Sequence, residues 1–139
     1  MRDVHQIMQS DVTIITPDTT AQAVAALMQA RNIGFVPVCE NRRPVGVVTD
    51  RDIVLRLMCR TGLGADMSVG QIMSEPVIIC RADDSISHGA AIMGDYQIRR
   101  LIVCDDDGQI VGILSLGDIA RDVCEKTAGE TLGEIVEFR

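Results

Sequence analysis

The stretch Gly46-Val47-Val48-Thr49-Asp50-Arg51-Asp52-Ile53 decides the fold, because a second stretch of the same pattern occurs later in the chain. The second stretch is Gly112-Ile113-Leu114-Ser115-Leu116-Gly117-Asp118-Ile119. Each begins with glycine, continues with an apolar run typical of a strand, and reaches a hydroxyl residue followed three positions later by aspartate. A hydroxyl and a carboxylate at this spacing are typical of the first turn of a helix. The pattern therefore predicts a strand that passes directly into a helix, twice.

The similarity between the two halves of the chain extends well beyond these stretches and keeps one register. The matched pairs include Ile7-Met8 with Ile72-Met73, Val12-Thr13-Ile14 with Val77-Ile78-Ile79, Ala25-Ala26-Leu27-Met28 with Ala90-Ala91-Ile92-Met93, and Val38-Cys39 with Val103-Cys104. One extra residue enters the second copy, in the turn Asp105-Asp106-Asp107-Gly108. A register kept over about 45 positions and broken once, inside a turn, predicts two copies of one folding unit.

Both copies predict the element order β-α-β-β-α, preceded by a short helix. The first copy has its short helix at 4–8, strands at 12–15, 35–39 and 45–49, a helix capped by Thr20, and a last helix from Asp50. The second copy has the matching elements at 69–73, 77–80, 101–104 and 110–115, a helix capped by Ser85, and a last helix from Leu116.

The predicted boundaries are 4–62 for the first copy, 68–125 for the second, and 126–139 for a C-terminal tail outside the repeat. A single copy of this size is marginal as an independent domain. We therefore expect an α+β fold in which two pseudo-symmetric β-α-β-β-α repeats pack sheet to sheet. The tail is expected either to pack on a partner or to remain free.

Composition excludes several classes of protein. The net charge is −7 and aromatic residues make up 2% of the chain, which disfavours binding to nucleic-acid phosphates and stacking on bases. No apolar run approaches the roughly 18 residues of a membrane span, and the N-terminus does not resemble a signal peptide. We therefore expect a cytoplasmic protein with no membrane or nucleic-acid partner.

The five cysteines predict reduced, mostly buried thiols. Their number is odd, and no two of them form a closely spaced pair. Cys39 and Cys104 occupy matching strand positions, where core packing is expected. No metal site is expected, because zinc needs clustered ligands at short spacing.

The repeated hydroxyl and aspartate suit the binding of a phosphorylated ribose. The N-terminus of a helix offers free N–H groups to an anion, and the Thr49 or Ser115 hydroxyl adds a hydrogen bond. The Asp52 or Asp118 carboxylate would accept hydrogen bonds from vicinal ribose hydroxyls. The same residues also fit a capping box that only stabilises the helix. Both interpretations can hold together, because N–H groups that the cap leaves unsatisfied at the helix N-terminus can still bind an anion.

With this repeat and these motifs, the chain resembles a tandem pair of CBS domains, the regulatory module also called a Bateman module. The resemblance covers roughly residues 4–125. It is carried by the Ile-Met pairs at 7–8 and 72–73, Ile33-Gly34-Phe35-Val36-Pro37-Val38, Ile98-Arg99-Arg100-Leu101-Ile102-Val103, Thr49-Asp50-Arg51-Asp52-Ile53, and Ser115 with Asp118-Ile119. It implies a regulatory ligand, either an adenine nucleotide (AMP, ADP or ATP) or S-adenosylmethionine, in one or both clefts between the copies. It implies no required cofactor.

The resemblance also assigns ligand-binding residues by position. In the first cleft these are Ile14, Thr16, Gly34, Phe35, Pro37, Thr49 and Asp52. In the second cleft they are Ile79, Arg81, Arg99, Arg100, Ile102, Ser115 and Asp118. The implied contacts are Thr49 or Ser115 with phosphate and Asp52 or Asp118 with ribose, while Arg99 and Arg100 would neutralise phosphate charge.

The chain departs from the family pattern in its second copy. Family members often have proline where this chain has Ile102, and Leu116-Gly117 replaces the Asp50-Arg51 of the first copy. The two clefts are therefore expected to differ in affinity.

Two functions follow from the sequence. The first is a nucleotide-sensing regulatory module that forms a homodimer, with Leu55, Leu57 and Met58 on the dimer face. The second is a ligand-free homodimeric interaction or scaffold protein. An enzyme is not expected, because the sequence has no nucleophile–base pair, no metal cluster and no glycine-rich phosphate loop.

Overall fold

The computed structural model describes residues 2–59, 64–122 and 125–136. The chain forms two compact units. The first-repeat unit is Thr13–Val77, and the second-repeat unit combines Met1–Val12 with Ile78–Arg139. These units begin and end at other residues than the repeats predicted at 4–62 and 68–125, because the opening segment of each repeat packs in the unit of the other.

The first-repeat unit has one long helix and a two-stranded antiparallel sheet. Its elements are helix α1 (Ala21–Arg31), strands β1 (Phe35–Glu40) and β2 (Arg43–Thr49), helix α2 (Asp50–Asp52) continuing as a π-helix (Ile53–Met58), and a 3-10 turn (Val69–Gln71). The strand predicted at 12–15 is reduced to one parallel bridge from Ile15 to Val38. Pairing stops there because Thr16 is followed by Pro17, which has no N–H to continue a ladder.

The second-repeat unit has a three-stranded sheet in the order β3-β4-β5, with β3 parallel and β5 antiparallel to β4. Its elements are a 3-10 turn (Val4–Gln6), strand β3 (Ile79–Arg81), helix α3 (Ile86–Tyr96), strands β4 (Arg100–Cys104) and β5 (Ile110–Ser115), and helices α4 (Leu116–Asp122) and α5 (Glu125–Val136). Helices with an antiparallel sheet in the first-repeat unit and a mixed sheet in the second confirm the predicted α+β class.

Both predicted N-caps are confirmed. The Thr20 hydroxyl accepts a hydrogen bond from the Ala23 N–H at 3.1 Å, and the Ser85 hydroxyl accepts one from the His88 N–H at 3.1 Å. Each satisfies a backbone donor that the first helical turn leaves unpaired. Because both helices start at the same distance before the next strand, the two units share one backbone frame.

The opening segments are exchanged between the repeats. Gln9 pairs with Ile113 in the second-repeat unit, and Ser74 pairs with Val47 in the first-repeat unit. A Cβ atom added to Gly112 would overlap the Met8 Sδ atom, and one added to Gly46 would lie 2.5 Å from the Met73 Sδ atom. Each glycine therefore leaves the space that a methionine of the other copy's opening segment fills.

Each unit has its own aliphatic core. Cys39 and Cys104 are buried, as predicted, and Cys80 joins the core of the second-repeat unit. Cys124 lies outside the described residues. Among the residues that are described, no helix is both long enough and apolar enough to cross a bilayer.

Helix α5 shows what the tail does in this structure. It packs against α3 and α4, and its Ile135 is 1% exposed within the core of the second-repeat unit. A Cβ atom on Gly94 would meet the side chain of Glu134, so glycine on α3 gives α5 room to approach. Most of the predicted tail is therefore part of a folded unit.

Candidate functional site

In both repeats the hydroxyl and the aspartate bond to each other's backbone. The Asp52 N–H donates to the Thr49 hydroxyl at 3.1 Å, and the Thr49 N–H donates to the Asp52 Oδ2 atom at 2.9 Å. The Asp118 and Ser115 pair repeats both bonds at 3.1 and 2.9 Å. The capping-box interpretation is thus confirmed, and the hydroxyl oxygen of each pair is used by the helix.

The second oxygen of each aspartate has partners that the sequence analysis missed. The Asp52 Oδ1 atom accepts a hydrogen bond from the Ser74 hydroxyl at 3.0 Å and lies 3.6 Å from the Arg56 Nε atom. The Asp118 Oδ1 atom accepts one from the Arg121 guanidinium at 2.6 Å. Arg56 follows Asp52 by four residues and Arg121 follows Asp118 by three, so both pairs could have been found from the sequence. Ser74 has no such signal, because it comes from an exchanged opening segment.

Both carboxylates are well buried, with Asp52 7% and Asp118 2% exposed. An ionised carboxylate has about four acceptor positions, so each aspartate can accept hydrogen bonds beyond those described above. Burial with these fixed donors holds the carboxylates in one orientation. Such fixed acceptors suit hydrogen bonds from ribose hydroxyls, the role that the resemblance implied.

The start of the preceding strand lies beside each hydroxyl–aspartate pair. Phe35 is the register partner of Thr49, and Arg100 is the register partner of Ser115. The Asp50 N–H donates to the Gly34 carbonyl at 3.1 Å, and the matching bond runs from Leu116 to Arg99 at 2.9 Å. In each repeat the structure therefore brings together four of the predicted ligand-binding residues: Gly34, Phe35, Thr49 and Asp52 in the first, and Arg99, Arg100, Ser115 and Asp118 in the second.

Of the other predicted residues, Pro37 and Ile102 lie within the same strands, β1 and β4, and the rest lie on the neighbouring chain segment of the same unit: Ile14, Thr16, Ile79 and Arg81. Ile79 is the register partner of Ile102, and it exposes 45% of its surface whereas Ile102 is buried. Ile14 precedes the bridge residue Ile15, whose N–H donates to the carbonyl of the buried Pro37 at 3.1 Å. These positions follow the order that the repeat predicts.

Thr16 and Arg81 already interact with neighbouring carboxylates. The Thr16 hydroxyl donates to Asp18, and this hydrogen bond holds the pKa of Asp18 below its ordinary value. Arg81 forms ion pairs with Asp83, at 3.2 Å, and with Asp106. The charge of Arg81 is therefore partly neutralised before any ligand approaches.

The two sites differ in the charges that surround them. At Gly34 an added Cβ atom would lie 2.7 Å from the Asp50 Oδ2 atom, so a carboxylate rests on this glycine. The matching positions in the second repeat are Arg99 and Leu116. Arg99 and Arg100 are exposed, and within the described ranges neither guanidinium has a hydrogen-bond or ion-pair partner.

The first-repeat unit also has a shallow surface depression of about 310 Å³. It is lined by Asp50, Arg51, Val54 and Leu55. Val54, Leu55 and Met58 expose 56%, 45% and 74% of their surface, whereas Leu57 is 7% exposed. Leu57 was therefore wrongly assigned to an exposed face, because the turn of the π-helix directs it into the core of its own unit.

Two of the buried thiols, Cys80 and Cys104, are not activated. Burial is the largest cause that raises the pKa of Cys80 to about 12, and the negative charge of Asp84 adds to it. Burial also raises the pKa of Cys104. A thiol that stays protonated at neutral pH is a poor nucleophile and a poor metal ligand. No cluster of three or more metal-ligating side chains exists in the described part of the chain.

Comparison with known proteins gives one consistent result. The CBS domain family model matches residues 3–58 and 69–125. The chain is 34% identical over 136 residues to the CBS domain-containing protein YhcV of Bacillus subtilis, covering 97% of this chain and 96% of that protein.

Two similar solved structures contain ligands. The CBS domain pair of protein MJ0100, in complex with 5′-methylthioadenosine and S-adenosyl-L-methionine, is 25% identical with a TM-score of 0.75, over 87% of this chain and 94% of that one. The structure of CBSX2 in complex with AMP is 25% identical with a TM-score of 0.74, over 87% and 95% of the two chains.

Proposed function

Because this chain belongs to the CBS-domain family, we propose that it is a regulatory module that binds an adenosine-containing ligand at one or both repeat sites. The ligand classes are an adenine nucleotide (AMP, ADP or ATP) and S-adenosylmethionine or a related thioether. No separate cofactor is required in this proposal, and the chain is regulatory rather than catalytic.

One observation carries the proposal. A buried aspartate occupies the matching position of each repeat, and each lies beside a hydroxyl and the start of a neighbouring strand. Each aspartate presents fixed acceptor atoms of the kind that recognise the paired hydroxyls of ribose. AMP, S-adenosylmethionine and methylthioadenosine, the ligands of the similar structures, share this ribose.

The test is calorimetric titration of the full chain with AMP, S-adenosylmethionine and 5′-methylthioadenosine. Asp118→Asn should weaken binding at the second-repeat site about tenfold or more, because it removes the charge that accepts from the ribose. Asp107→Asn makes the same charge change in the exposed β4–β5 turn, at the other end of the strands, and should leave binding unchanged. Affinity is measured rather than melting temperature, because Asp118 also stabilises the fold.

We also propose that the chain forms a homodimer through the apolar strip Val54, Leu55 and Met58. Exposed apolar side chains on adjacent turns of one helix are typical of an interface. Sedimentation of Leu55→Glu/Met58→Glu should show a monomer where the wild type shows a dimer. Leu132→Glu alters an equally exposed leucine on α5 and should remain a dimer.

A ligand-free dimeric interaction protein is the second candidate, because the same apolar strip would suffice for it. Wild-type dimers that bind none of the three ligands would favour this candidate. The proposed setting is the cytoplasm, where buried thiols such as Cys80 and Cys104 stay reduced.

A further inference from the structure

We propose that the two repeats divide the adenosine ligands by charge: the second-repeat site selects ligands that carry a 5′-phosphate, and the first-repeat site favours those without one. This inference rests on the proposed function and names the ligand class of each site. It is carried by residues that differ at positions matched by the same backbone hydrogen bond and the same strand register.

The backbone frame is the same at the two sites. The Asp50 N–H bonds to the Gly34 carbonyl at 3.1 Å, and the Leu116 N–H bonds to the Arg99 carbonyl at 2.9 Å. The strand pairs Phe35–Thr49 and Arg100–Ser115 also correspond. A ligand held by the hydroxyl–aspartate pair would therefore meet the same surroundings in both repeats, except for the side chains.

The second-repeat site has two uncompensated positive charges. Directly opposed residues of antiparallel strands project from the same face, so Arg100 lies on the face of Ser115. Arg99 lies beside the first residue of α4 through its carbonyl bond to Leu116. Both guanidiniums are exposed and have no carboxylate partner in the residues described, in contrast to Arg81. Free guanidinium groups bind phosphate oxygens in pairs of hydrogen bonds.

The first-repeat site has a carboxylate where the second has none. Asp50 rests on Gly34, with its Oδ2 atom 2.7 Å from the position of a Cβ atom. The neighbouring Arg51 adds one positive charge against the one negative charge of Asp50, and the Arg56 guanidinium is already paired with Asp52. A phosphate monoester carries close to two negative charges at pH 7, so Asp50 disfavours it by like-charge repulsion. A neutral thioether or a sulfonium cation at the same position meets no such repulsion.

The first experiment compares AMP with 5′-methylthioadenosine, which share the adenosine and differ at the 5′ position. We expect Arg99→Gln/Arg100→Gln to lower AMP affinity about ten- to a hundredfold at the second-repeat site and to change methylthioadenosine affinity less than about threefold. Arg99→Lys/Arg100→Lys keeps the charge and should keep most of the AMP affinity. Arg51→Gln removes one exposed arginine from the first repeat and should leave the AMP affinity of the second site unchanged.

Several outcomes overturn the inference. Unchanged AMP affinity in the glutamine variant overturns it, as does an equal loss for both ligands. Wild-type chain that binds methylthioadenosine but prefers AMP at neither site overturns this inference and leaves the proposed function standing. Chain that binds neither ligand overturns both.

The first-repeat half has its own test. In the Arg99→Gln/Arg100→Gln background, Asp50→Asn should raise AMP affinity about three- to tenfold, because it removes one negative charge next to the phosphate. Methylthioadenosine affinity should stay constant in the same variant. No gain for AMP would show that Asp50 does not repel the phosphate and would overturn this half of the proposal.

Discussion

The two repeat units share a backbone frame and differ in what covers their first long helix. On α3 the side of Ala90 and Gly94 is buried, whereas the matching Ala25 and Gln29 on α1 are exposed. The cause is α5, which packs on α3. An internal repeat therefore fixes the strands, caps and turns of both units, and residues outside the repeat decide which surfaces remain open.

The exposed apolar surface follows the same division. In the first-repeat unit Val54, Leu55 and Met58 are exposed on one helix. In the second-repeat unit α5 adds both a buried face, with Ile135, and an exposed face, with Leu132. The comparison predicts that α5 stabilises the second-repeat unit by burial, and that the open helix of the first-repeat unit is left for association.

The largest expected effect comes from weakening the packing of α5 in the second-repeat unit. Ile135→Ala should lower the free energy of unfolding by about 2–4 kcal/mol, because it removes buried methylenes and leaves a cavity. Leu132→Ala on the same helix is the matched control and should stay within about 0.5 kcal/mol of the wild type, because Leu132 is 45% exposed. Urea unfolding followed by circular dichroism measures both. Equal, small effects of the two substitutions would mean that α5 does not pack on α3 in solution.

The next-largest expected effect is the loss of stability when either exchanged opening segment is crowded by an added methyl group. Gly112→Ala and Gly46→Ala should each destabilise the chain by about 1–3 kcal/mol through overpacking. Gly112→Ala should cost more, because its Cβ atom would lie 2.9 Å from the Gln9 carbonyl oxygen, whereas the backbone oxygen of Ser74 is 3.2 Å from a Cβ atom at Gly46. Backbone cannot move aside as a methionine side chain can.

The same unfolding measurement distinguishes these two variants. If both substitutions prove neutral, the opening segments do not occupy the positions found here. If Gly46→Ala costs more than Gly112→Ala, the approach of Met73 is tighter than that of Met8, and the ranking by backbone contacts is wrong.

Local signals made most of the fold predictable from sequence. The N-caps at Thr20 and Ser85, the paired strands and the capping boxes all depend on residues a few positions apart. The exchange of opening segments was not predictable in this way, since Gln9 and Ile113 pair although most of the chain separates them in sequence. Periodicity shows that a segment has an apolar face, and it does not show which copy receives that face.

The site shows the same limit. Sequence placed the hydroxyl–aspartate pairs and the strand residues beside them, and the arginines that hold Asp52 and Asp118 lie within one helical turn. Ser74 reaches Asp52 only because its segment is exchanged. Leu57 was misplaced because the predicted α-helix is a π-helix there, which changes the face that each residue presents.

The smallest expected effect tests how equal the two frames are. Thr20→Ala and Ser85→Ala should each cost about 1 kcal/mol, because each removes the acceptor for one N–H of the first helical turn. Both bonds measure 3.1 Å, and an opening segment bridges each cap, from Ser68 to Thr20 and from Asp3 to Ser85. Ser87→Ala, an exposed position in the same turn, is the control and should be nearly neutral. Equal losses would extend the equivalence of the repeats from geometry to energy, whereas a difference above about 0.5 kcal/mol would show that α5 on α3 changes the stability of the helix start as well as its covered face.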